Sequence, residues 1–159
     1  MKNLPVLAAR VAVAFVFTLT PFLARAERHS GQVLIQAVSG AVTCSSPKGV
    51  WQPVGAKDQL ECGVVIKTGP DSTVDLVLGY NRTVLRLTPN STLRVAQLDQ
   101  DLAGEDVITE ITLELKSGAL AGSQRKLTSP SRLDITTPNG NARIMGTEYY
   151  VRADGAVSV

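Results

Sequence analysis

From Gln32 onward, apolar residues recur at every second position in short runs. Val74-Asp75-Leu76-Val77-Leu78 and Ile111-Thr112-Leu113-Glu114-Leu115 put apolar side chains on one face and polar ones largely on the other, the period of a half-buried strand. Val33/Ile35, Val64 to Ile66, Val84 to Leu87, Leu93/Val95, Leu133/Ile135 and Tyr149 to Val151 extend the pattern. These runs are rich in Val, Ile, Leu and Thr and end at Gly, Pro, Asn or Asp, which predicts strands joined by tight turns. No stretch after residue 26 has the spacing of a long amphipathic helix. Gln97 to Val107, with Asp99, Asp101, Glu105 and Asp106, reads as a solvated acidic loop or a single helical turn.

Two short recurrences overlie this alternation. Thr68-Gly69-Pro70-Asp71-Ser72-Thr73 resembles Thr88-Pro89-Asn90-Ser91-Thr92 and Thr137-Pro138-Asn139-Gly140-Asn141, each reading as strand end, tight turn and new strand. Gly40-Ala41-Val42, Gly118-Ala119-Leu120 and Gly155-Ala156-Val157 form the second set. Their spacing is uneven, so no solenoid of fixed period is indicated. The expected fold is all-β: a compact β-roll or two-layer sandwich of many short strands, preceded by an N-terminal signal peptide helix.

That leader is read from Lys2 and Arg10, the apolar stretch Val11 to Leu23 and the small residues Ala24 and Ala26, which place cleavage before Glu27. The apolar stretch is short of the ~18 to 20 residues that span a bilayer, and Pro21 interrupts it, so no stable transmembrane anchor is expected. The first cysteine is Cys44, too distant for a lipidated amino terminus. Residues 27–159 then form one domain, expected in the periplasm or secreted. Of 16 Lys and Arg, three (Lys2, Arg10, Arg25) leave with the leader, so 13 bases face 14 acids in an interleaved arrangement. Such a chain lacks the basic stripe that nucleic-acid binding needs.

Cys44 and Cys62 are the only cysteines, and in an exported chain they are a disulfide candidate. The loop between them carries Pro47, Gly49, Pro53 and Gly55, and Ala41 to Cys44 and Cys62 to Ile66 are expected as neighbouring strands. The other reading is two buried thiols. Two thiols and the lone His29 make no zinc site, and no cofactor or metal site is predicted. The sequons at Asn81 and Asn90 read as turn residues.

The order of residues through most of the mature chain resembles the FecR domain family, in the form of exported stand-alone proteins. The resemblance runs through Gly40-Ala41-Val42, Trp51-Gln52-Pro53-Val54, Ile66-Lys67-Thr68-Gly69, Leu87-Thr88-Pro89-Asn90-Ser91 and Leu113 to Leu120. Its most specific part is the Thr137-Pro138 corner followed by Ala142-Arg143-Ile144-Met145-Gly146-Thr147-Glu148-Tyr149-Tyr150. The resemblance implies signal sensing in the envelope. In signalling members a cytoplasmic segment contacts a sigma factor and a transmembrane helix joins it to the FecR domain. Here a signal peptide directly precedes the domain, so that cytoplasmic role does not carry over. The family also continues beyond the position of Val159, which implies a trimmed domain or a fragment.

Each candidate site residue has a structural reading beside a functional one. Trp51 is either a core or rim aromatic covering a sheet end, or an exposed ring that stacks on a sugar or anchors a partner. Tyr149 and Tyr150 alternate across a strand, so one is core and the other a candidate contact. Gly146-Thr147 reads as a bulge or close backbone approach. With one histidine, and carboxylate pairs such as Asp99/Asp101 and Glu105/Asp106 in a polar loop, no catalytic arrangement is predicted. The expected function is a non-catalytic binding or signal-sensing module with an envelope protein partner. The alternative is a cell-wall or glycan-associated structural protein.

Overall fold

The computed structural model describes residues 28–46, 48–80, 82–102, 107–124, 129–145 and 148–158. The signal peptide, with Ala24, Ala26 and Glu27, lies outside the described residues, as does Gly146-Thr147. Within them the chain is all-β, its strands arranged in two sheets.

The first sheet is built from β1 (Arg28–Ser30), β3 (Val42–Ser45), β4 (Trp51–Pro53), β6 (Val65–Thr68), β9 (Thr92–Asp101), β10 (Ile108–Ser117), β12 (Arg132–Thr137) and β13 (Gly140–Ile144). Its order is β13-β12-β10-β9-β6-β3-β4, with β1 pairing the far end of β9. The second sheet contains β2 (Val33–Ser39), β5 (Gln59–Leu60), β7 (Thr73–Leu78), β8 (Thr83–Leu87), β11 (Ala119–Ser123), β14 (Glu148–Arg152) and β15 (Val157–Ser158). It runs β15-β14-β11-β8-β7-β2-β5. Among the described residues only β10 and β12 pair in parallel, because the chain visits β11 in the opposite sheet between them.

The alternation sets which side chains meet. Ile66, Leu93, Leu113 and Ile135 from the first sheet and Ile35, Leu76, Leu87 and Leu120 from the second are fully buried in one shared core. Removing such a side chain from water contributes about 1.5–3 kcal/mol before entropy is counted. Outward positions of the first sheet carry cross-strand ion pairs instead, such as Arg94 with Glu114 and Arg143 with Asp134.

The acidic-loop reading of Gln97 to Asp101 is corrected: these residues are the second half of β9, with Leu98 and Gln100 buried. The reason is a bulge. Thr112 pairs Gln97 while the next residue, Leu113, pairs Val95, so Ala96 is left over and the inward phase shifts from Leu93 and Val95 to Leu98 and Gln100. A second bulge at Gln36 shifts β2 in the same way, between the Ile35–Leu76 and Ala37–Asp75 pairs.

Four times the chain passes between the sheets at one end of the sandwich: β2 to β3, β6 to β7, β8 to β9 and β10 to β11. Here the two sequence recurrences become halves of one device. Ser72 Oγ accepts the Ala41 N–H at 2.9 Å and donates to the Pro70 carbonyl at 2.9 Å. Ser91 Oγ does the same one corner on, accepting the Ala119 N–H at 3.0 Å. Gly40 and Gly118 lie so close to these serines, at φ of +80° and +78°, that any Cβ would overlap the hydroxyl. Thr68 ties the corners together, donating to the Thr88 carbonyl at 2.7 Å and accepting the Ser91 N–H at 2.9 Å. In the third copy Gly140 replaces the serine, and Asn139 makes the link by donating to the Ala153 carbonyl at 3.2 Å.

Candidate binding surfaces

The groups with most intrinsic reactivity are dispersed. His29 sits in β1 opposite Gln100. Among the described residues no cluster of His, Cys, Asp and Glu is placed to hold a metal ion.

The expected neighbouring strands around the cysteines are present, since β3 pairs β6, but the disulfide is not formed and both thiols are free. Register explains the separation. Cys44 faces Ile66, whereas Cys62 precedes β6 and turns toward β9, where its thiol donates to the Val95 and Ala96 carbonyls at 3.6 Å. Cys44 is buried in the core, with Gln52 Nε2 at 3.9 Å, and burial pushes its thiol pKa up.

Trp51 is not a core residue. It lies on the edge strand β4, 46% exposed, because Thr43, Ser45 and Trp51 share the outward face of the first sheet. The Lys67 ammonium reaches diagonally across β3 to stand 4.3 Å from the ring centroid. At an exposed site such a contact contributes about 0.5–1 kcal/mol and covers one ring face.

The tyrosine pair divides as alternation requires. Tyr149 points inward, 4% exposed, with its ring packed over Gly122, and is thereby removed as a contact candidate. Burial alone raises its pKa far above the ordinary phenol value. Tyr150 points outward at 39% exposure. The registers align it in one row across the second sheet: Asp75, Arg86, Ala121, Tyr150 and Ser158 on five successive strands. Arg86 is fixed at one side by a two-pronged ion pair to Asp75, at 2.6 and 2.7 Å. Ala121 is the short member, so a notch of about 520 Å³ opens between Arg86 and Tyr150, bordered by exposed Val84 and Glu148.

At the other end of the sandwich, where β7 turns into β8 and β9 approaches β10, the interior becomes polar. Thr83 Oγ1, Gln100 Nε2, both amide atoms of Gln124 and Tyr149 Oη are buried without a hydrogen-bond partner among the described residues. Each such group costs about 1–3 kcal/mol relative to a satisfied one. The sequence reading missed this feature, although a polar side chain in the inward phase of a strand is its signal. Thr83 shows that phase directly, being two residues from Leu85, while Gln100 is disguised by the Ala96 bulge.

The Thr137-Pro138 part of the stretch that carries the resemblance serves the corner end. Thr137 Oγ1 accepts the Asn139 N–H at 3.3 Å and donates to the Gly140 carbonyl at 3.0 Å, with Pro138 between them at the turn. No curated protein and no solved structure matches the chain. A family model described as FecR protein matches residues 64–159, from the start of β6 through the corners and the tyrosine row. With more than half its length covered in that match, the chain belongs to the FecR family.

Proposed function

We propose that this FecR protein is a non-catalytic sensing or binding module of the bacterial envelope, exported by its leader and recognising a protein partner. The single observation behind the partner reading is the notch over Ala121. It joins an exposed Tyr and a pre-oriented Arg, two of the side chains that dominate protein interfaces, with a recess that accepts an apolar side chain. Holding Arg86 on Asp75 before contact lowers the entropy lost on binding. A partner strand has a further place to add along β13, a five-residue edge, whereas Pro53 removes a donor from the β4 edge.

The test is a photo-crosslinking residue in place of Tyr150, with the protein expressed in its own envelope. The proposal expects crosslinking to one discrete protein, abolished when Ala121→Leu fills the notch. Recovery of peptidoglycan or polysaccharide alone would overturn it. The glycan-associated alternative has one observation in its favour, the outward ring of Trp51 on β4.

A further inference from the structure

The polar end of the sandwich opens to solvent through a cleft of about 710 Å³ on the opposite side of β8 from the Ala121 notch, bounded by β1, β2, β5 and the β7–β8 turn. Gln100, 1% exposed, lines it and carries an amide nitrogen with no partner. Two glycines hold that amide in place. A Cβ on Gly79 would lie within van der Waals overlap of Gln100 Nε2, and one on Gly31 would stand 3.1 Å from Oε1, so bare backbone flanks the side chain on both sides. A leucine at position 100 would fill the same inward position without an unpaired donor; a glutamine there leaves a hydrogen-bond donor waiting for an acceptor.

The rest of the lining defines the acceptor. Gln32 and Gln59 add neutral amides, and Tyr80, 69% exposed, offers a broad aromatic face beside His29 and Leu102. Among the described residues, the lining holds no lysine, arginine, aspartate or glutamate. Phosphates and carboxylates would find only the His29 imidazole as a counter-charge among the described lining residues, and a purely apolar ligand would leave the amides unpaired. Neutral amides around an exposed aromatic ring suit a ligand with an apolar face and many uncharged oxygens.

We infer that this cleft is a binding site for a neutral saccharide, stacked on Tyr80 with one of its oxygens accepting the Gln100 amide proton. The inference does not depend on the protein-partner reading, which uses the outer face of the second sheet. Chitotetraose and cellotetraose serve as probes, the first supplying N-acetyl carbonyls and the second only hydroxyl and ring oxygens. Titration of the exported protein, followed by amide chemical shifts, is expected to show saturable binding of at least one, with shifts centred on Tyr80, Gln100 and His29. Tyr80→Ala, at an exposed position, should weaken it roughly tenfold with an unchanged melt. Gln100→Leu should weaken it as well. Failure of both probes to saturate, shifts centred on Trp51, or unaltered binding by Tyr80→Ala would each overturn the assignment.

Discussion

The two ends of the sandwich are made from the same alternating strands and treat their buried polar groups in opposite ways. At the corner end, Thr68, Ser72 and Ser91 are buried and every hydroxyl both donates and accepts, binding the turns of both sheets into one network. At the hairpin end, Thr83, Gln100, Gln124 and Tyr149 are equally buried and leave polar atoms unpaired. A satisfied network specifies and rigidifies a fold, whereas unsatisfied groups subtract from stability and are retained where something else uses them. The contrast assigns anchoring to the corners and places the molecule's unspent hydrogen-bonding capacity at the hairpins.

The corner end is most sensitive at Gly118. Gly118→Ala drives a methyl into Ser91 at a positive φ, and a loss of about 3 kcal/mol is expected in denaturant melts. Gly49→Ala is the control, because its φ of +82° is alike but nothing lies within 4 Å of the new methyl. That variant should lose only about 1 kcal/mol, the conformational part alone.

A smaller effect belongs to the hairpin end and depends on pH. Tyr149 holds its proton in the folded state beyond the ordinary phenol pKa, while the unfolded chain ionises near ~10. Stability is therefore complete below about pH 10 and falls as pH rises toward the folded value. By pH 11 the loss should be about 1 kcal/mol, and Tyr149→Phe should be free of it when melts of the two proteins are compared.

The smallest effects lie on the surface and at the thiols. Tyr150→Ala is expected to change stability by less than ~0.5 kcal/mol, since the ring serves no packing in the core, and calorimetry checks it. Both cysteines should alkylate in unfolded, unreduced protein, and in the folded protein Cys62 should react before the buried Cys44.

Much of this was legible in the residues. Alternation located the core strands, and the Thr-Pro and Gly-Ala recurrences marked the corners, together with the FecR resemblance that the family match bears out. What alternation alone does not convey is the effect of one extra residue. The bulge at Ala96 reversed the inward phase of β9 and made a buried strand look like an acidic loop. Nor did the recurrences reveal that two of the three Gly-Ala corners are held by a serine from another turn, because Gly40 and Ser72 meet only through the pairing of β2 with β7 and β3 with β6. The two readings of Trp51 could not be separated from the residue alone for a similar reason: its burial depends on its place in the strand order, and β4 lies at an edge.

The division between the two ends is tested most directly by the stabilities of Ser91→Ala and Gln100→Leu, measured side by side in denaturant. Ser91→Ala strands the Ala119 N–H at a buried corner and should destabilise by about 2 kcal/mol. Gln100→Leu removes an unpaired amide from an equally buried position and should be neutral or stabilise by up to about 1 kcal/mol. Destabilisation by Ser91→Ala with no loss from Gln100→Leu is the predicted result, and a comparable loss from both substitutions would contradict it.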